Sequence, residues 1–231
     1  MEKATAVLLN YERPENLPRI IESLTGQEFI NEVIIWDNSG DKLELMRQYG
    51  SEFSRLSHSV DWITIKGSKE NLFTAARFEA AKMAKNEIIL TQDDDVIVNN
   101  WSALWTQYHA DKQRSICCNL SPGMYLNNHN EIWNTAHHVL LGWGSIWRKE
   151  WVSALEWYID EFGEDEVYHR KADRIFSLML NRKHQALIGD YEELPQATSK
   201  TALYRRKDHY TMNREAIRRC KMILAKLDLS M

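Results

Sequence analysis

Glu87-Ile88-Ile89-Leu90-Thr91-Gln92-Asp93-Asp94-Asp95 is the segment from which the fold class of this chain follows. Its first five residues form a short apolar run with the length and composition of a buried β-strand. Three carboxylates then stand at the carboxyl end of that strand, where open α/β sheets bind ligands. Because adjacent anions cost free energy unless a cation compensates them, the motif predicts Mn²⁺ or Mg²⁺ that holds a diphosphate. The alternative is a solvated acidic turn that caps the next helix.

The residues before this motif alternate strands with helices. Near-continuous apolar runs at residues 4–10 and 32–36 are typical of strands that are covered on both faces, and residues 62–65 are a further candidate. A helix between the first two strands is indicated by the i, i+3, i+4, i+7 spacing of apolar residues over 17–24. This alternation predicts an α/β fold with a mainly parallel sheet.

After Asp95 the pattern changes. Residues 119–135 are polar and rich in turn formers, which is typical of a functional loop. Residues 139–147 read as a strand interrupted by two glycines, and apolar spacing predicts helices at about 172–181 and 212–227. We interpret residues 1–231 as one domain with two halves, 1–98 and 99–231.

Composition and charge bound the class of protein. The chain has 231 residues, 44% of them hydrophobic and 27% charged, as in ordinary globular proteins. No apolar stretch approaches a membrane span, the N-terminus leaves no room for a signal peptide, and three cysteines form neither a disulfide framework nor a zinc spacing. We therefore expect a cytoplasmic protein, in the host cytoplasm if it is viral. Net charge is −4, yet residues 205–226 hold eight Lys or Arg against two acids.

Six short motifs occur along nearly the whole chain: Tyr11-Glu12-Arg13, Val33-Ile34-Ile35-Trp36-Asp37-Asn38, Asp93-Asp94-Asp95, Leu141-Gly142-Trp143-Gly144, Ala172-Asp173-Arg174-Ile175 and Tyr204-Arg205-Arg206-Lys207-Asp208-His209. In this order they resemble the motifs of the exostosin-type transferases of glycosyltransferase family 64. These are metal-dependent nucleotide-sugar glycosyltransferases of the GT-A fold. Asn71 and Arg77 match the family's donor-binding stretch loosely, and Asp173 alone is kept of its acidic pair.

The resemblance implies a GT-A (Rossmann-like) fold: a mixed, mainly parallel sheet flanked by helices, with an acceptor-side subregion after the triple Asp. Residues 1–98 become the nucleotide-sugar-binding half of the domain, with a UDP-linked donor, and residues 99–231 the acceptor-binding half. The implied nucleotide-sugar contacts are Asn10, Tyr11, Arg13, Asp37, Asn38, Asn71, Arg77, Asp93, Gly142 and Trp143. The implied metal ligands are Asp95, Asp93 and His209, and the implied catalytic residues are Asp173, Asp94 and Arg206.

The proposed chemistry gives some of these residues distinct tasks. Arg77 or Arg206 would bind the phosphates through a planar fork of donors. Asp173 would act on the acceptor as an acid or base, and its alternative role is a helix N-cap. His209 has the alternative of a helix-capping surface histidine.

The acceptor is interpreted from the C-terminal helix. Arg214, Arg218 and Lys221 are spaced i, i+4 and i+7 and share one face, which favours a polyanion. A compact transferase with such a helix also resembles viral and phage enzymes that glycosylate hydroxymethylated pyrimidines in DNA. We therefore expect 5-hydroxymethylpyrimidine DNA as acceptor, with a glycan or a lipid-linked sugar as the alternative. A non-catalytic DNA- or glycan-binding module and a sugar-nucleotide pyrophosphorylase are the other classes, and the latter is disfavoured because no Gly-rich loop follows the first strand.

Overall fold

The structure is a computed structural model that describes residues 2–40, 42–56, 62–120, 139–194 and 203–228. Its first half alternates strands and helices: β1 (Ala4–Asn10), α1 (Leu17–Thr25), β2 (Ile30–Asp37), α2 (Lys42–Leu56), β3 (Ile63–Gly67), α3 (Ala76–Lys82) and β4 (Ile88–Gln92). The second half contains β5 (Val96–Val98), α4 (Trp101–Ala110), β6 (Cys117–Leu120), β7 (Trp143–Arg148), α5 (Glu156–Phe162), α6 (Glu166–Met179), β8 (Gln185–Ile188), β9 (Tyr191–Glu193) and α7 (His209–Asp228). Short 3-10 helices lie at Pro14–Asn16, Phe73–Ala75, Lys149–Leu155 and Leu203–Arg205.

The main sheet has seven strands in the order β3-β2-β1-β4-β7-β6-β8. Strands β3, β2, β1 and β4 are mutually parallel, whereas β7 runs antiparallel to both β4 and β6. Strand β5, which directly follows the triple Asp, pairs with β9 in a separate two-stranded antiparallel sheet. The predicted α/β fold with a mixed, mainly parallel sheet flanked by helices is thus confirmed.

The core lies on both faces of this sheet. Every residue of β1 and β4 is buried, as expected for central parallel strands covered on both sides. On one face, the aromatic rings of Phe78, Trp147 and Phe176 pack together with centroids 4.8–5.8 Å apart. This cluster joins α3, β7 and α6, so it fixes the helix that carries Asp173 against the strand that follows Gly142.

Three predicted boundaries differ from the structure. The strand predicted over 139–147 begins at Trp143, because Leu141 and Gly142 form a turn. The helix predicted from 172 begins at Glu166, because the Asp165 side chain caps it by accepting from the backbone N–H of Tyr168 at 3.0 Å.

The C-terminal helix begins at His209, slightly before its predicted start at 212. The predicted functional loop lies outside the described residues from position 121 onward. Within the described residues, no helix combines the length and the apolarity that crossing a bilayer requires.

Candidate active site

The carboxyl ends of β1, β2 and β4 meet at one edge of the sheet because these strands are parallel and adjacent. Asn10 and Asp37 are register partners there, and the Asn10 amide donates to the Asp37 carboxylate at 2.8 Å. Asp93 directly follows the end of β4. The ends of β1, β2 and β4 thus bring Asn10, Asp37 and Asp93 to one edge of the sheet.

The carboxylate of Asp94, the middle acid of the triplet, is bonded to groups within the protein. It is 4% exposed, and its carboxylate accepts from the backbone N–H of Tyr11 and from the Arg13 guanidinium, each at 2.7 Å. Burial raises the pKa of Asp94 to about 8 against the opposing charge of Arg13. Both carboxylate oxygens of Asp94 thus face inward and hold the loop after β1, and its predicted catalytic role stays a prediction.

Arg13 is the internal counter-ion of the acidic motif. It is buried, and its Nη1 pairs with Asp94 and also with Asp95 at 2.7 Å. This guanidinium nitrogen is therefore shared by two carboxylates, and the predicted donor contact of Arg13 stays a prediction. Tyr11 remains half-buried at the edge of the cleft, with its backbone on Asp94.

Asp95 keeps part of its carboxylate accessible, since only Oδ2 is engaged by Arg13 and its side chain is 22% exposed. Burial, together with the charge of Asp93, raises the pKa of Asp95 to about 6. A bound cation would relieve both effects by neutralising the two acids. This acid pair is therefore a fitting place for a hard divalent ion.

Asp93 lies between the loop before β7 and helix α3. Its backbone N–H donates to the carbonyl of Gly142 at 2.8 Å, and its carboxylate packs directly on the Cα of Gly142. Trp143 comes next, half-buried, with its ring 4.9 Å from that of Tyr191 in an edge-to-face pair. The predicted proximity of Gly142 and Trp143 to the acidic motif is present in the structure.

Arg77 is 0% exposed and forms ion pairs with Asp93 and with Asp173. Both terminal nitrogens of its guanidinium are therefore paired with carboxylates inside the protein, while the predicted contact of Arg77 with the donor phosphates stays a prediction. Burial opposes the charge on Arg77, but the two carboxylates outweigh burial and raise its pKa.

Asp173 lies inside α6 and is not its N-cap, which is Asp165. The helix is kinked at Lys171, where the backbone is non-helical, so Asp173 begins the straight portion after the kink. Burial raises the pKa of Asp173, with Arg77 opposing. Its Oδ2 binds Arg77, while its Oδ1 accepts no hydrogen bond from any residue that the structure describes.

Two polar side chains at the end of β2 are buried and bonded to neighbouring backbone groups. Asp37 is 0% exposed and accepts from the backbone N–H and the hydroxyl of Ser39. Asn38 is also buried and bonds the backbone of Leu72 and Phe73 at 3.2 and 3.1 Å. The side chains of Asn10, Asp37 and Asn38 are thus buried and bonded within the protein, and their predicted donor contacts stay predictions.

Asn71 stays half-buried beside these loops, and its side-chain oxygen accepts from the N–H of Phe73 at 2.7 Å. Phe73 has a positive φ of 50°, and its ring lies under the guanidinium of Arg206 at 5.3 Å. Arg206 is exposed. Its cation is thus held over the loop between β3 and α3.

His209 does not join the acidic motif. Its Nδ1 lies 3.0 Å from Nζ of Lys171, and burial with the charge of Lys171 lowers its pKa to about 4. Among the described residues, no three His, Cys, Asp or Glu side chains are grouped to hold a metal ion. The predicted ligand set of Asp93, Asp95 and His209 is therefore corrected to the two acids. Two carboxylates with substrate phosphates suffice for Mg²⁺ or Mn²⁺.

Sequence reasoning missed three residues of the site. Phe73 supports Arg206, Tyr191 packs on Trp143, and the charge of Glu193 contributes to the raised pKa of Asp95. Tyr191 and Glu193 belong to β9, which pairs with β5 almost a hundred residues earlier. No local sequence pattern indicates such a pairing.

The basic face predicted on α7 is exposed at Arg214, Arg218 and Lys221, and its predicted contact with an acceptor stays a prediction. Arg218 already pairs with Glu215 at 2.6 Å. The opposite face of the helix is buried at Ala216, Cys220 and Ile223, as predicted.

Part of the basic surface is neutralised by the acidic segment 160–166. Arg219 pairs with Asp165 at 2.7 Å, and Lys226 pairs with Glu161. The positive charge of this helix is therefore smaller than its sequence indicates.

Solved structures with a similar fold include glycosyltransferases. The mannosyltransferase PcManGT from Pyrobaculum calidifontis, in complex with GDP-Man and Mn²⁺, superposes with a TM-score of 0.62 at 14% identity, covering 94% of this chain and 64% of that one. TarS 1–349 from S. aureus, in complex with UDP, superposes with a TM-score of 0.58 at 14% identity, covering 96% of this chain and 65% of that one. This chain thus spans just under two thirds of each protein. No curated protein sequence matches it.

The family comparison covers most of the chain. The sequence profile described as glycosyl transferase family 2 matches residues 5–211. The predicted glycosyltransferase with a GT-A fold agrees with this match, which does not extend to the exostosin-type family 64 or to phage enzymes. The chain belongs to glycosyl transferase family 2.

Proposed function

We propose that this protein transfers a sugar from a UDP-linked donor to a hydroxyl group of an acceptor, with Mn²⁺ or Mg²⁺ bound at Asp93 and Asp95. The observation that carries the proposal is the pair of partly exposed acids that follow β4, of which Asp93 is joined through Arg77 to Asp173 on α6. When bound, the ion would neutralise charge on the departing diphosphate.

On the donor side, Asp95 presents one carboxylate oxygen that Arg13 leaves unpaired. Arg206, held over Phe73 at 5.3 Å, offers an exposed guanidinium to the diphosphate. Asn71 is the remaining half-buried polar group beside that loop. These three side chains replace the buried Asn10, Asp37 and Asn38 as donor contacts.

On the acceptor side, Asp173 receives the proton of the attacking hydroxyl. Arg77 pairs with Oδ2 of Asp173, and the Asp173 side chain keeps 17% of its surface exposed, where an acceptor hydroxyl would approach it; Oδ1 itself is buried without a hydrogen-bond partner in the described part of the chain. The acceptor oxygen bonds to the anomeric carbon as the bond from that carbon to the phosphate breaks, and the nucleotide diphosphate leaves with the electron pair. The pKa of Asp173, raised by burial, favours this proton transfer.

The finer proposal for the acceptor is DNA that carries 5-hydroxymethylpyrimidine. It is supported by the exposed cations of α7, Arg214, Arg218 and Lys221, and weakened by the Glu215 partner of Arg218. A glycan is the alternative outcome of the same tests, because the edge-to-face rings of Trp143 and Tyr191 beside Asp93 are also suited to a sugar face.

The decisive experiment measures nucleotide-sugar turnover. The purified protein is incubated with UDP- and GDP-linked sugars, with Mn²⁺ or with EDTA, in the presence of hydroxymethylated DNA or of oligosaccharides. We expect UDP to be released, and the mass of one of the two acceptors to increase, only in the incubations that contain Mn²⁺. A protein that binds no nucleotide by calorimetry and turns over no donor would overturn the proposed function.

A further inference from the structure

We propose that Arg77 is a positioning residue that holds Asp93 and Asp173 in fixed relative orientation, so that the donor-side and acceptor-side carboxylates face one reacting centre. This inference rests on the proposed function and deepens it. Arg77 lies on α3, a helix that contributes no other charged residue to the site described above.

The geometry of Arg77 is that of a bridge. One terminal nitrogen of its guanidinium pairs with Asp93 on the loop after β4, and the other pairs with Asp173 on α6. The two acids are 80 residues apart in sequence and belong to different elements, the loop after β4 and helix α6. No hydrogen bond between them or between their backbones occurs among the described residues, so the shared guanidinium is their direct link.

The exposure of the three groups shows which of them meets substrate. Arg77 is 0% exposed, while the side chains of Asp93 and Asp173 are 40% and 17% exposed. Each acid therefore turns one oxygen to Arg77 and keeps part of its side chain exposed, although Oδ1 of Asp173 is itself buried. Arg77 acts through these acids and does not contact the substrate itself.

Stability alone gives a poor account of this arrangement. A buried ion pair contributes little net stability, because taking the charges out of water offsets their attraction. A planar guanidinium does, however, constrain two carboxylates in direction as well as distance, which a lysine ammonium does not. A misplacement of about 1 Å in a catalytic group costs about 10²-fold in rate.

The test compares Arg77→Lys with Arg219→Lys. Arg219 is a matched control because it also bridges two acids, Asp165 and Glu215, but does so between α6 and α7 outside the cleft. We expect Arg77→Lys to lower kcat about 10²-fold with a much smaller change in donor KM, and Arg219→Lys to leave both within about two-fold. UDP affinity measured without metal should not change in either variant, since Arg77 is inaccessible to ligand.

A double-mutant cycle distinguishes a positioning role of Arg77 from a merely structural role. In a protein that already carries Asp173→Asn, adding Arg77→Lys should lower kcat by less than a further factor of about three. The reason is that the carboxylate that Arg77 positions is already lost. This inference alone would be overturned if the loss of kcat in the double variant equalled the product of the two single losses. It would also be overturned if Arg77→Lys kept the wild-type kcat. An equal fall in metal-free UDP affinity would overturn it as well, because it would place Arg77 on the diphosphate.

Two further results complete the test. If Arg77→Lys does not fold, a double-mutant cycle of Asp93→Asn with Asp173→Asn replaces it. A loss of kcat in the double variant that is smaller than the product of the single losses supports the link between the two acids. A loss equal to that product overturns it. A folded wild-type protein that neither binds UDP nor consumes any nucleotide sugar overturns the proposed function together with this inference.

Discussion

Gly142 lies so close to Asp93 that a Cβ at position 142 would overlap the Asp93 carboxylate. The backbone carbonyl of Gly142 also accepts the N–H of Asp93 at 2.8 Å. The absence of a side chain at 142 therefore allows the loop before β7 to close over the acidic motif. This close approach explains why a glycine interrupts an otherwise apolar segment.

Gly142→Ala should displace the Asp93 carboxylate and lower transfer activity by about 10²-fold, while the protein remains folded because the overlap is with the end of a side chain. Activity assays with circular dichroism check both statements. Gly50→Ala is the control: Gly50 lies within α2, where a Cβ would make only an ordinary contact of 3.7 Å with Met46. It should raise stability by about 0.5–1 kcal/mol with no effect on turnover. Unchanged activity in Gly142→Ala would contradict the importance of this contact.

The sheet and the edge at which the site forms were predictable because they follow from local patterns. The buried run before Asp93 and the apolar run of β1 specify central parallel strands, and parallel strands bring their carboxyl ends together. Asn10, Asp37 and Asp93 lie at one edge because each stands at or directly after the end of such a strand.

The direction in which each side chain points was not predictable in the same way. Arg77, Arg13 and Asp94 were expected to meet substrate, but each is buried against a partner that is distant in the chain. A charged residue next to a binding motif either contacts the ligand or supports a residue that does. Only the three-dimensional arrangement of its partners distinguishes the two roles.

Asp95→Asn should reduce metal-dependent turnover by orders of magnitude without unfolding the protein, because Asp95 supplies an accessible oxygen of the proposed metal site. EDTA should reproduce the loss in the wild-type protein. Glu44→Gln removes an exposed acid on α2 and should leave turnover unchanged. Transfer that persists in EDTA would contradict the metal-dependent proposal. Mn²⁺ titration calorimetry in the presence of UDP provides a reading that does not depend on activity.

His209 should make stability depend on pH. Its pKa is lowered to about 4 in the folded protein by burial and by Lys171, from an ordinary value of 6.5. Between these values the unfolded state binds a proton that the folded state does not, so the contribution of His209 to stability is full above pH 6.5 and is lost as pH falls toward 4. The slope is at most about 1.4 kcal/mol per pH unit.

Urea unfolding between pH 4 and 8 checks this expectation. The stability difference between wild type and His209→Gln should shift in favour of the variant as pH falls. His109→Gln on α4, which removes a histidine remote from Lys171, is the control for the loss of an imidazole. A difference between wild type and His209→Gln that is constant across this range would show that His209 titrates normally.

The C-terminal helix provides the test of the acceptor. If its exposed cations follow DNA phosphates, the log of the binding constant should fall by about 0.9 per log unit of salt for each neutralised phosphate. Arg214→Gln with Lys221→Gln should flatten that slope by up to about 2 units, at one per lost contact. Adding Arg218→Gln should change it less, because Glu215 already pairs with Arg218 at 2.6 Å.

The matched control is Arg47→Gln with Arg55→Gln, which removes the same charge from exposed positions on α2. It should leave the slope unchanged, so that any effect of the α7 variant reports position and not net charge. Donor hydrolysis without acceptor should also stay unchanged in the α7 variant, because that face does not include Arg206 or the acidic motif. Binding to duplex and single-stranded DNA that is undetectable at low salt would defeat the DNA proposal. A glycan, recognised beside Trp143 and Tyr191, would then be the acceptor to pursue.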